Sequence, residues 1–364
     1  MIILGIETSC DETAVALVSD KTPDTLHTDQ GNRPCVLAHR VFTQLEEHEA
    51  FGGVVPEVAA RAHLQVLPPL LKQTLKDAKL TLADIDGVAV TCGPGLIGGV
   101  MVGVMMGKSI AAVHNKPFLA INHLAGHGLV PRLSDNLSFP YLLLLVSGGH
   151  SQIVVVKSAL DFEVLGSTQD DAVGECFDKC AKMMGLPYPG GANVEKAALT
   201  GDKKRFQLPR PLKGRTKDGM ACRFSFSGLK SAVRREIEKL GDGFSPQDAC
   251  DLSAGLQTAI SDTLCDRLKN ALKHCDERSQ QLTALVVSGG VAANVFLRDN
   301  IKELAHEFKL PFVAPPLNLC TDNGVMIAWA GIEKMKHGSV DALDFKPRPR
   351  WPLNELSVNE PSYI

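Results

Sequence analysis

Apolar runs separated by polar turns give the chain the pattern of an α/β protein. The first stretch, IILGIETSCDETAVALVSD, has two apolar runs around a polar turn and predicts a β-hairpin with residues 8–13 at its tip. Later, IDGVAVTCGPG predicts a buried strand that ends in a Gly-Pro-Gly turn, with a glycine-rich helix after it. The order strand, loop, helix is typical of α/β folds.

Helical periodicity is clearest in two segments. In PEVAARAHLQVLPPLLKQTLKDA the apolar residues recur every three or four positions, which predicts one or two amphipathic helices, interrupted near Pro68 and Pro69. The most apolar window, Leu96 to Val113, approaches the length of a membrane span, but it contains Lys108 and many glycines and lacks flanking anchors. We therefore expect a buried helix here and no membrane partner.

Two predicted strands end in the same four residues, VSGG. YLLLLVSGGHSQIVVV predicts strand, turn, strand, and LTALVVSGGVAANVFLRDNI predicts strand, turn, helix. Glycine pairs permit positive φ and expose backbone N–H groups, as a phosphate or nucleoside requires at close range. One such turn alone is more often a plain tight turn. Three polar or glycine turns after buried strands favour two related α/β lobes with a nucleotide between them.

No long linker separates the two predicted lobes. We place an N-terminal lobe at residues 1–122 and a C-terminal lobe at residues 123–364, the second with a basic insert near residues 203–235. Residues 20–34 are rich in turn formers and predict an exposed loop.

Length, net charge and cysteine content limit the number of domains, the partners and the compartment that we expect. The 364 residues suit about two globular domains, and the formal net charge of -3 gives no whole-protein attraction to nucleic acid or membrane. Ten cysteines without a Cys-x-x-Cys pair indicate a reducing compartment rather than a secreted disulfide framework. The first residues lack the pattern of a signal peptide, so we expect a cytoplasmic location.

His123 and His127 lie four residues apart in NHLAGHGL. In a helix they would share a face, where both imidazoles could bind one ion. Two ligands do not make a catalytic site, and such a pair is more often part of a core or a surface. A zincin peptidase requires a glutamate directly after the first histidine, and Leu124 occupies that position, so we reject a peptidase.

A third ligand for the same ion is offered by LCTDNGVMIAWAG. Asp322 precedes an apolar helix and could act as its N-cap. A carboxylate at a helix start could also complete a set of two histidines and one carboxylate with open positions, which suits iron or zinc. Both roles can coexist.

The tip of the first hairpin is acidic and rich in hydroxyl groups. Glu7, Asp11 and Glu12 stand among threonine and serine in ETSCDET, a mixture suited to a metal-bound or phosphate-bearing ligand, although solvated turn residues would look similar.

The segment DDAVGECFDKCAKMMGLPYPGG predicts a helix followed by a turn rich in proline and glycine. Asp178 and Gly191 are candidate ribose contacts. Cys176 and Cys180 have no second pair to support a zinc site, so we expect them to pack in the core.

One segment departs from the weakly acidic average. Residues 203–235 contain eleven lysines and arginines and one acidic residue, Asp218, a difference of +10. A solvated surface would account for this charge. Phe206, Phe224 and Phe226 interleave with the basic residues, however, as expected where a backbone and unstacked bases are held. We favour RNA as the partner of this segment.

Together these motifs resemble those of the TsaD family, the tRNA threonylcarbamoyladenosine transferases. The resemblance extends from the first strand to about Gly331 and rests on ten stretches in order: GIETSCDETAVAL, GGVVPEVAARAH, GPGLIGGVMVG, HLAGH, LLVSGGHSQI, DDAVGECFDK, YPGGA, FSFSGLKSA, VVSGGVAAN and CTDNGVMIAWAG.

The resemblance implies an actin-like ATPase fold, of the Hsp70 and sugar-kinase type, with two duplicated lobes around a nucleotide cleft. It implies transfer of threonylcarbamoyl from threonylcarbamoyl-AMP to N6 of the adenosine 3′ to the anticodon, in tRNAs reading codons that start with A. The implied partners are tRNA, TsaB-like and TsaE-like proteins, and a TsaC-like enzyme that supplies the adenylate.

Site residues follow from the resemblance by position. It implies one divalent metal, Fe²⁺ or Zn²⁺, held by His123, His127 and Asp322, and it implies that Glu12 is catalytic. Because N6 must lose a proton as it forms the new bond, our hypothesis is that Glu12 accepts this proton. The residues implied for the adenylate, or for ATP or ADP in its place, are Leu145, Val146, Ser147, Gly148, Gly149, Asp178, Gly191 and Asn294.

Two alternatives stay open on the sequence alone. A small-molecule kinase of the same superfamily would share the glycine turns but would need neither the two histidines nor the basic segment. A non-catalytic, ATP-switched assembly module would bind partners normally and leave tRNA nucleosides unchanged when Asp322 is replaced.

Overall fold

The computed structural model describes residues 1–22, 33–49, 53–217 and 219–357. Most of the loop expected at residues 20–34, and Asp218 of the basic segment, lie outside these residues. In chain order the strands are β1 (Ile2–Glu7), β2 (Glu12–Ser19), β3 (Cys35–Thr43), β4 (Gly87–Gly93), β5 (Phe118–Asn122), β6 (Tyr141–Val146), β7 (Ser151–Ser158), β8 (Asp161–Ser167), β9 (Leu285–Ser288) and β10 (Phe312–Val313). The helices are α1 (Leu45–Glu49), α2 (Pro56–Ala78), α3 (Ile97–Val113), α4 (His123–Ser134), α5 (Val173–Met183), α6 (Gly190–Ala198), α7 (Ser227–Leu240), α8 (Pro246–Glu277), α9 (Val295–Glu307), α10 (Leu317–Cys320) and α11 (Gly324–Lys336), with 3₁₀ turns at Gly241–Gly243, Gly290–Ala293 and Leu353–Glu355.

The chain divides into two compact units. Unit 1 comprises Met1–Asn136, Ala159–Phe162 and Thr321–Ile364, and unit 2 comprises Leu137–Ser158 and Glu163–Cys320. This division differs from the lobes expected at residues 1–122 and 123–364. The physical reason is that α4 packs against α11, and α11 in turn packs on the strands of unit 1.

Unit 1 contains a five-stranded sheet in the order β3-β2-β1-β4-β5. β1 and β2 form the predicted antiparallel hairpin, and β4 runs parallel to β1. Leu4 and Ile6 pack in one core with residues of α2 and α3, whereas Gly5, on the other face of β1, lies against α11. A Cβ at Gly5 would collide with the carbonyl oxygen of Gly324, so this glycine is needed for α11 to approach the strand. Both faces of the sheet are therefore covered, which explains the continuous apolar runs.

The interruption predicted near Pro68 and Pro69 is wrong, because α2 continues unbroken through both prolines. Each proline removes one backbone donor. Leu67 and Leu71, on either side of the pair, are buried in the core of unit 1, and this packing stabilises the helix. The helix predicted in the apolar window is confirmed as α3, which is buried along one face. Within the described residues, no helix is long and apolar enough to cross a membrane.

Unit 2 repeats the plan of unit 1. Its sheet has the order β8-β7-β6-β9-β10, in which β6 pairs antiparallel with β7 and parallel with β9. The central strand of each sheet thus has its own hairpin partner on one side and a parallel strand on the other. The core of unit 2 is built largely on α8, whose N-terminus is closed by a capping box between Ser245 and Asp248. The prediction of two related α/β lobes is confirmed.

Candidate functional site

The two histidines lie on the first turns of α4. Asn122 caps this helix, because its Oδ1 accepts hydrogen bonds from the N–H groups of Leu124 and Ala125 at 2.9 and 3.3 Å. The cap fixes the start of the helix, so that His123 and His127 lie one turn apart on the same side. Both side chains are buried, and their rings are 4.8 Å apart at 89°. The segment from His123 onward is therefore helical, which is the condition under which the two imidazoles share a face.

Asp322 meets both histidines just before α11 begins. Its Oδ1 lies 3.0 Å from Nε2 of His127 and 3.4 Å from Nε2 of His123. The N-cap of α11 is Asn323, whose Oδ1 accepts a hydrogen bond from the N–H of Met326 at 2.8 Å. The capping role considered for Asp322 therefore belongs to its neighbour.

The spacing of these three side chains fits a bound transition metal. An ion with bonds of about 2.0 to 2.1 Å holds neighbouring ligand atoms roughly 3.0 to 3.4 Å apart, from octahedral to tetrahedral angles. Both nitrogen–oxygen distances fall in this range, and the three candidate ligand atoms all lie within 4.8 Å of one another. Two imidazoles and one carboxylate suit iron or zinc. His123, His127 and Asp322 are thus able to hold one divalent ion.

Glu7, at the end of β1, contacts the other nitrogen of His123. Its Oε2 lies 3.0 Å from Nδ1, and Oγ of Ser9 lies 3.1 Å from the same atom. Glu7 also accepts hydrogen bonds from the N–H of Ser9 and from Oγ1 of Thr91, both at 2.5 Å. A carboxylate in this position fixes the tautomer and orientation of a ligand histidine.

Sequence reasoning missed this contact between Glu7 and His123, since it grouped Glu7 with the turn residues as a set suited to a metal-bound or phosphate-bearing ligand. The signal that could have found it is an acidic residue at the end of a strand that is otherwise wholly apolar. Such a carboxylate is buried with the strand, and a buried carboxylate requires partners.

The two carboxylates determine the protonation of His123. Burial disfavours the charged imidazole, but the charges of Asp322 and Glu7 and the hydrogen bond to Glu7 raise the pKa of His123 to about 9. For Glu7, burial by itself would raise the pKa, but the adjacent His123 holds the pKa below its usual value. The two carboxylates therefore stabilise the protonated form of His123, and this proton must be lost before the imidazole can bind a metal.

Glu12 is the first residue of β2, across the turn from Glu7. Burial raises the pKa of Glu12 well above its usual value, and the negative charges of Asp322 and Asp11 raise it further. A carboxylate with a raised pKa is, once ionised, a stronger proton acceptor than an ordinary glutamate. The turn thus carries a group suited to proton transfer, within electrostatic reach of a candidate metal ligand.

The two VSGG turns belong to unit 2 and follow neighbouring strands. β6 and β9 run parallel, and the first turn begins after Val146 while the second begins after Ser288. Gly289 takes the left-handed φ of 96°, and a Cβ there would collide with the carbonyl of Val146. Gly148 and Gly149 are not left-handed, but a Cβ on either would meet no atom within 4 Å. The positive φ expected of these glycines is thus found at Gly289, and the first pair faces open space.

Of the other candidate substrate residues of unit 2, Gly191 and Asn294 lie at the N-termini of α6 and α9, and Asp178 lies within α5. Asp178 of α5 accepts hydrogen bonds from the N–H groups of Gly190, at 2.7 Å, and Gly191. Burial raises the pKa of Asp178, and this effect outweighs the two hydrogen bonds, which lower it. Asn294 caps α9 through the N–H of Leu297 at 2.9 Å, and its Nδ2 donates to Gln257 at 2.8 Å. Asp178 and Gly191 are therefore adjacent, while Asn294 already has a structural role.

Comparison with known proteins decides the family. A family model described as tRNA N6-adenosine threonylcarbamoyltransferase, TsaD, matches residues 35–329. The chain belongs to the TsaD family. It is 51% identical over 354 residues to the tRNA N6-adenosine threonylcarbamoyltransferase of Paramagnetospirillum magneticum, covering 97% of each chain. It is 52% identical over 360 residues to the protein of the same name from Brucella anthropi, covering 98% of this chain and 97% of that one.

Solved structures support the fold. A structure of full-length HypF in a phosphate- and nucleotide-bound form aligns with a TM-score of 0.58 at 13% identity, over 93% of this chain and 47% of that one. The activator of the 2-hydroxyisocaproyl-CoA dehydratase from Clostridium difficile aligns with a TM-score of 0.51 at 12% identity, over 94% and 99%. These likenesses identify the actin-like ATPase fold expected of a TsaD protein.

The basic segment of this TsaD chain lies in unit 2, and its aromatic residues are not available to bases. Phe206, Phe224 and Phe226 are buried in the core of unit 2, where the last two rings stack with centroids 5.8 Å apart. The predicted stacking of these rings on unpaired bases is therefore wrong. Burying a phenylalanine side chain stabilises a fold by roughly 1.5 to 3 kcal/mol, so the rings anchor the segment instead.

The charges of the segment remain at the surface. Arg205 and Arg210 pair with Asp251 and Asp262 of α8 at 2.7 and 2.8 Å. Further exposed cations are Lys203, Lys204, Lys213, Arg215, Lys217, Arg223, Arg234 and Arg235.

α8 holds the backbone of this segment through a buried cation, Arg267. Its Nη1 donates to the carbonyls of Arg215 and Met220 at 2.8 and 3.0 Å, and its guanidinium pairs with Asp266. Asn270, one turn further along α8, donates to the carbonyl of Ala221 at 2.9 Å. These bonds fix the path of the basic segment between its exposed lysines and arginines.

Proposed function

We propose that the chain transfers threonylcarbamoyl from threonylcarbamoyl-AMP to N6 of the adenosine 3′ to the anticodon, in tRNAs reading codons that start with A. Family membership carries the activity itself, that of a tRNA N6-adenosine threonylcarbamoyltransferase. The donor and the position of the adenosine are inferred from the chemistry of the family. The observation that most favours transfer over a kinase of the same fold is that His123, His127 and Asp322 lie together as a candidate metal site.

The metal ligands would be His123, His127 and Asp322, and the ion would be Fe²⁺ or Zn²⁺. When bound, such an ion supplies positive charge that can polarise an oxygen of the donor. Glu7 supports this set because it holds Nδ1 of His123 and leaves Nε2 directed at Asp322. Elemental analysis of the purified protein distinguishes the two metals.

The transfer is a displacement at the carbamoyl carbon of a mixed anhydride. The N6 amine attacks this carbon, and the bond from the carbon to the phosphate oxygen breaks, so that AMP leaves with the electron pair. N6 must lose a proton as the new bond forms, and we assign Glu12 as the acceptor. The raised pKa of Glu12 supports this assignment, because it strengthens the ionised carboxylate as a base.

We assign adenylate binding to the first VSGG turn with Leu145, and to Asp178, Gly191 and Asn294. The open space beside Gly148 and Gly149 supports close approach of a phosphate to the backbone. The carboxylate of Asp178 suits a pair of ribose hydroxyls. ATP or ADP would use the same groups.

The basic segment is our proposed contact for tRNA. Its exposed lysines and arginines suit phosphate oxygens, and its path is fixed by Arg267. With its rings buried, we expect it to contact the RNA backbone rather than bases.

A TsaB-like protein is the partner we propose for an apolar groove between α2 and α3. The groove has a cavity volume of ≈ 530 Å³ and is lined by residues that include Leu64, Pro68, Met101 and Met105. Leu64 and Met105 are 62% and 58% exposed. Exposed methionines adapt to the surface of a partner. Met105→Glu should abolish co-purification with such a partner, and unaltered co-purification would refute this assignment.

We also propose a TsaE-like protein as a partner, together with a TsaC-like enzyme that supplies the adenylate. We place the protein in the cytoplasm. Ten free cysteines in the described residues support a reducing compartment.

Mass analysis of tRNA nucleosides tests the main proposal. Depletion of the protein should remove threonylcarbamoyladenosine, the wild-type chain should restore it, and His127→Ala should not. Unchanged threonylcarbamoyladenosine after depletion would refute the proposed function.

A further inference from the structure

A buried histidine of α2, His63, holds the turn that carries Glu12. Its Nδ1 lies 2.7 Å from Oγ1 of Thr13, and its Nε2 lies 3.1 Å from the carbonyl oxygen of Cys10. The side chain of Gln44 approaches from a third direction, with its Nε2 3.2 Å from Nδ1 of the histidine. One fully buried ring thus contacts both sides of the two-residue stretch that contains Glu12.

The chemistry of these contacts fixes one form of the ring. A carbonyl oxygen can only accept, so Nε2 of His63 donates to Cys10. Burial lowers the pKa of His63, which favours the neutral ring. Nδ1 then accepts from the hydroxyl of Thr13 and the amide of Gln44. All polar positions of the ring are used, and rotation of the ring would break bonds on both sides.

The same turn is fixed from α3. The N–H of Leu96 donates to the carbonyl of Ser9 at 2.8 Å, and Oγ1 of Thr8 donates to the carbonyl of Gly99 at 2.9 Å. A Cβ at Gly99 would collide with the carbonyl of Thr8 and press on the ring of His63. The glycine therefore lets α3, the turn and His63 come together. The start of the turn is held by α3, and its end, where Glu12 lies, is held by His63.

We propose that His63 is a positioning residue for Glu12 in the transfer reaction. This inference rests on the proposed role of Glu12 as proton acceptor. His63 need not touch substrate, because it acts by holding Cys10 and Thr13 and thereby the backbone between them. A misplacement of about 1 Å at a reacting group can lower a rate about 10²-fold, so loss of these bonds should lower kcat without a matching change in substrate binding.

Steady-state transfer from preformed threonylcarbamoyl-AMP to tRNA, with the complete set of partner proteins, tests the proposal. His63→Leu should lower kcat about 10- to 100-fold and leave KM for tRNA within about twofold. His63→Gln, which can still donate to Cys10, and Thr13→Val, which removes only the hydroxyl, should each lose less. Metal content should stay that of the wild type in all three variants.

Thr74→Val is the matched control, because Thr74 is buried on the same helix and its hydroxyl donates within α2 itself, to the carbonyl of Leu70 at 2.8 Å. It should retain the wild-type kcat. Thermal unfolding of each variant separates a loss of folded protein from a loss of kcat. If His63→Leu fails to fold, His63→Gln and Thr13→Val carry the test.

A double-mutant cycle separates this inference from the proposed function. In a Glu12→Gln background, His63→Leu should cause no further loss. A wild-type kcat for folded His63→Leu, beside an impaired Glu12→Gln, would overturn the role of His63 alone. A wild-type rate for Glu12→Gln would overturn the role of Glu12, and with it this inference. Independent, multiplicative losses would also overturn it.

Discussion

Nε2 of His127 lies 3.0 Å from Oδ1 of Asp322, although the two residues are 195 positions apart in the chain. The pair completes the proposed ligand set with His123, and we expect about one metal ion per wild-type chain. His127→Ala should reduce the metal content at least tenfold, because two remaining ligands hold a transition metal weakly. Elemental analysis after dialysis measures this. His114→Ala, at the end of α3 and outside the set, should keep its metal, and full metal content in His127→Ala would contradict the assignment.

Glu7→Gln should weaken metal binding without removing a ligand. The carboxylate behind His123 raises the basicity of the imidazole, and loss of such a partner typically lowers metal affinity about 10- to 100-fold. Competition with a chelator measures the affinity. Glu57→Gln, which removes an exposed carboxylate paired with Arg61, is the control and should bind metal as the wild type does. Equal affinities for the two variants would exclude the role of Glu7.

Local periodicity is what made part of this protein predictable. The hairpin of β1 and β2, the spacing of His123 and His127 and the two VSGG turns all depend on residues close in sequence, and each is found as expected. The joining of Asp322 to the histidines is a long-range contact, and the family resemblance indicated it where spacing alone left it open.

The sequence did not allow us to predict which side chains are buried outside helices and strands. Residues 203–226 have no helical or strand period, so nothing in the sequence separates an exposed ring from one in the core, and Phe206 was misassigned for that reason. At Pro68 the prediction failed for a different reason. The low helix propensity of proline predicted a break in the helix, but the packing of Leu67 and Leu71 overrides that propensity. The role of Glu7 depends on its distance from His123, which no local pattern encodes.

Removing two cations from the basic segment should weaken tRNA binding without altering the chemistry. Lys213 and Lys217 are exposed beside the backbone that Arg267 holds, and each contact to a phosphate contributes about one unit of salt dependence. The double variant Lys213→Ala/Lys217→Ala should raise KM for tRNA several-fold and leave kcat within about twofold. The slope of log affinity against log salt should fall by about one to two.

The control for charge alone is Lys273→Ala/Lys302→Ala, which removes two exposed lysines elsewhere in unit 2. It should bind tRNA as the wild type does. If the two double variants weaken binding equally, the interaction follows net charge rather than the basic segment.

Arg267→Met should destabilise unit 2. The change removes the side-chain donor to the carbonyls of Arg215 and Met220 and leaves Asp266 without its cation, although the Met220 carbonyl keeps a bond from the N–H of Arg223. Breaking a fully buried ion pair costs about 3 to 5 kcal/mol in the free energy of unfolding, and we expect about 3 kcal/mol here because Asp266 is partly exposed. Lys273→Met, an exposed change on the same helix, should alter it by less than about 0.5 kcal/mol. Denaturant unfolding measures the stability of both variants. Equal stabilities would contradict a stabilising role for the bonds that Arg267 makes to the basic segment.

Glu163 gives unit 2 a stabilising ion pair that acid removes. The carboxylate lies 2.8 Å from Nζ of Lys157 and 2.5 Å from Nη1 of Arg278. Burial works to raise the pKa of Glu163, but the hydrogen bonds to Arg278 and Lys157 outweigh it and lower the pKa to about 2. A carboxyl group with a lower pKa in the folded state stabilises the fold above its unfolded pKa, here 4.5, and loses that contribution as the pH falls towards 2.

Glu163→Gln should therefore lower the free energy of unfolding at pH 7 by about 1 kcal/mol, a figure reduced for solvent screening because the group is partly exposed. The difference from the wild type should shrink as the pH falls below about 4.5 and vanish near pH 2. Denaturant unfolding between pH 7 and the lowest pH at which both chains fold measures it. Glu307→Gln removes an exposed carboxylate 3.4 Å from Lys269 and should have no such pH dependence. A difference that stayed constant with pH would show that Glu163 stabilises through packing rather than charge.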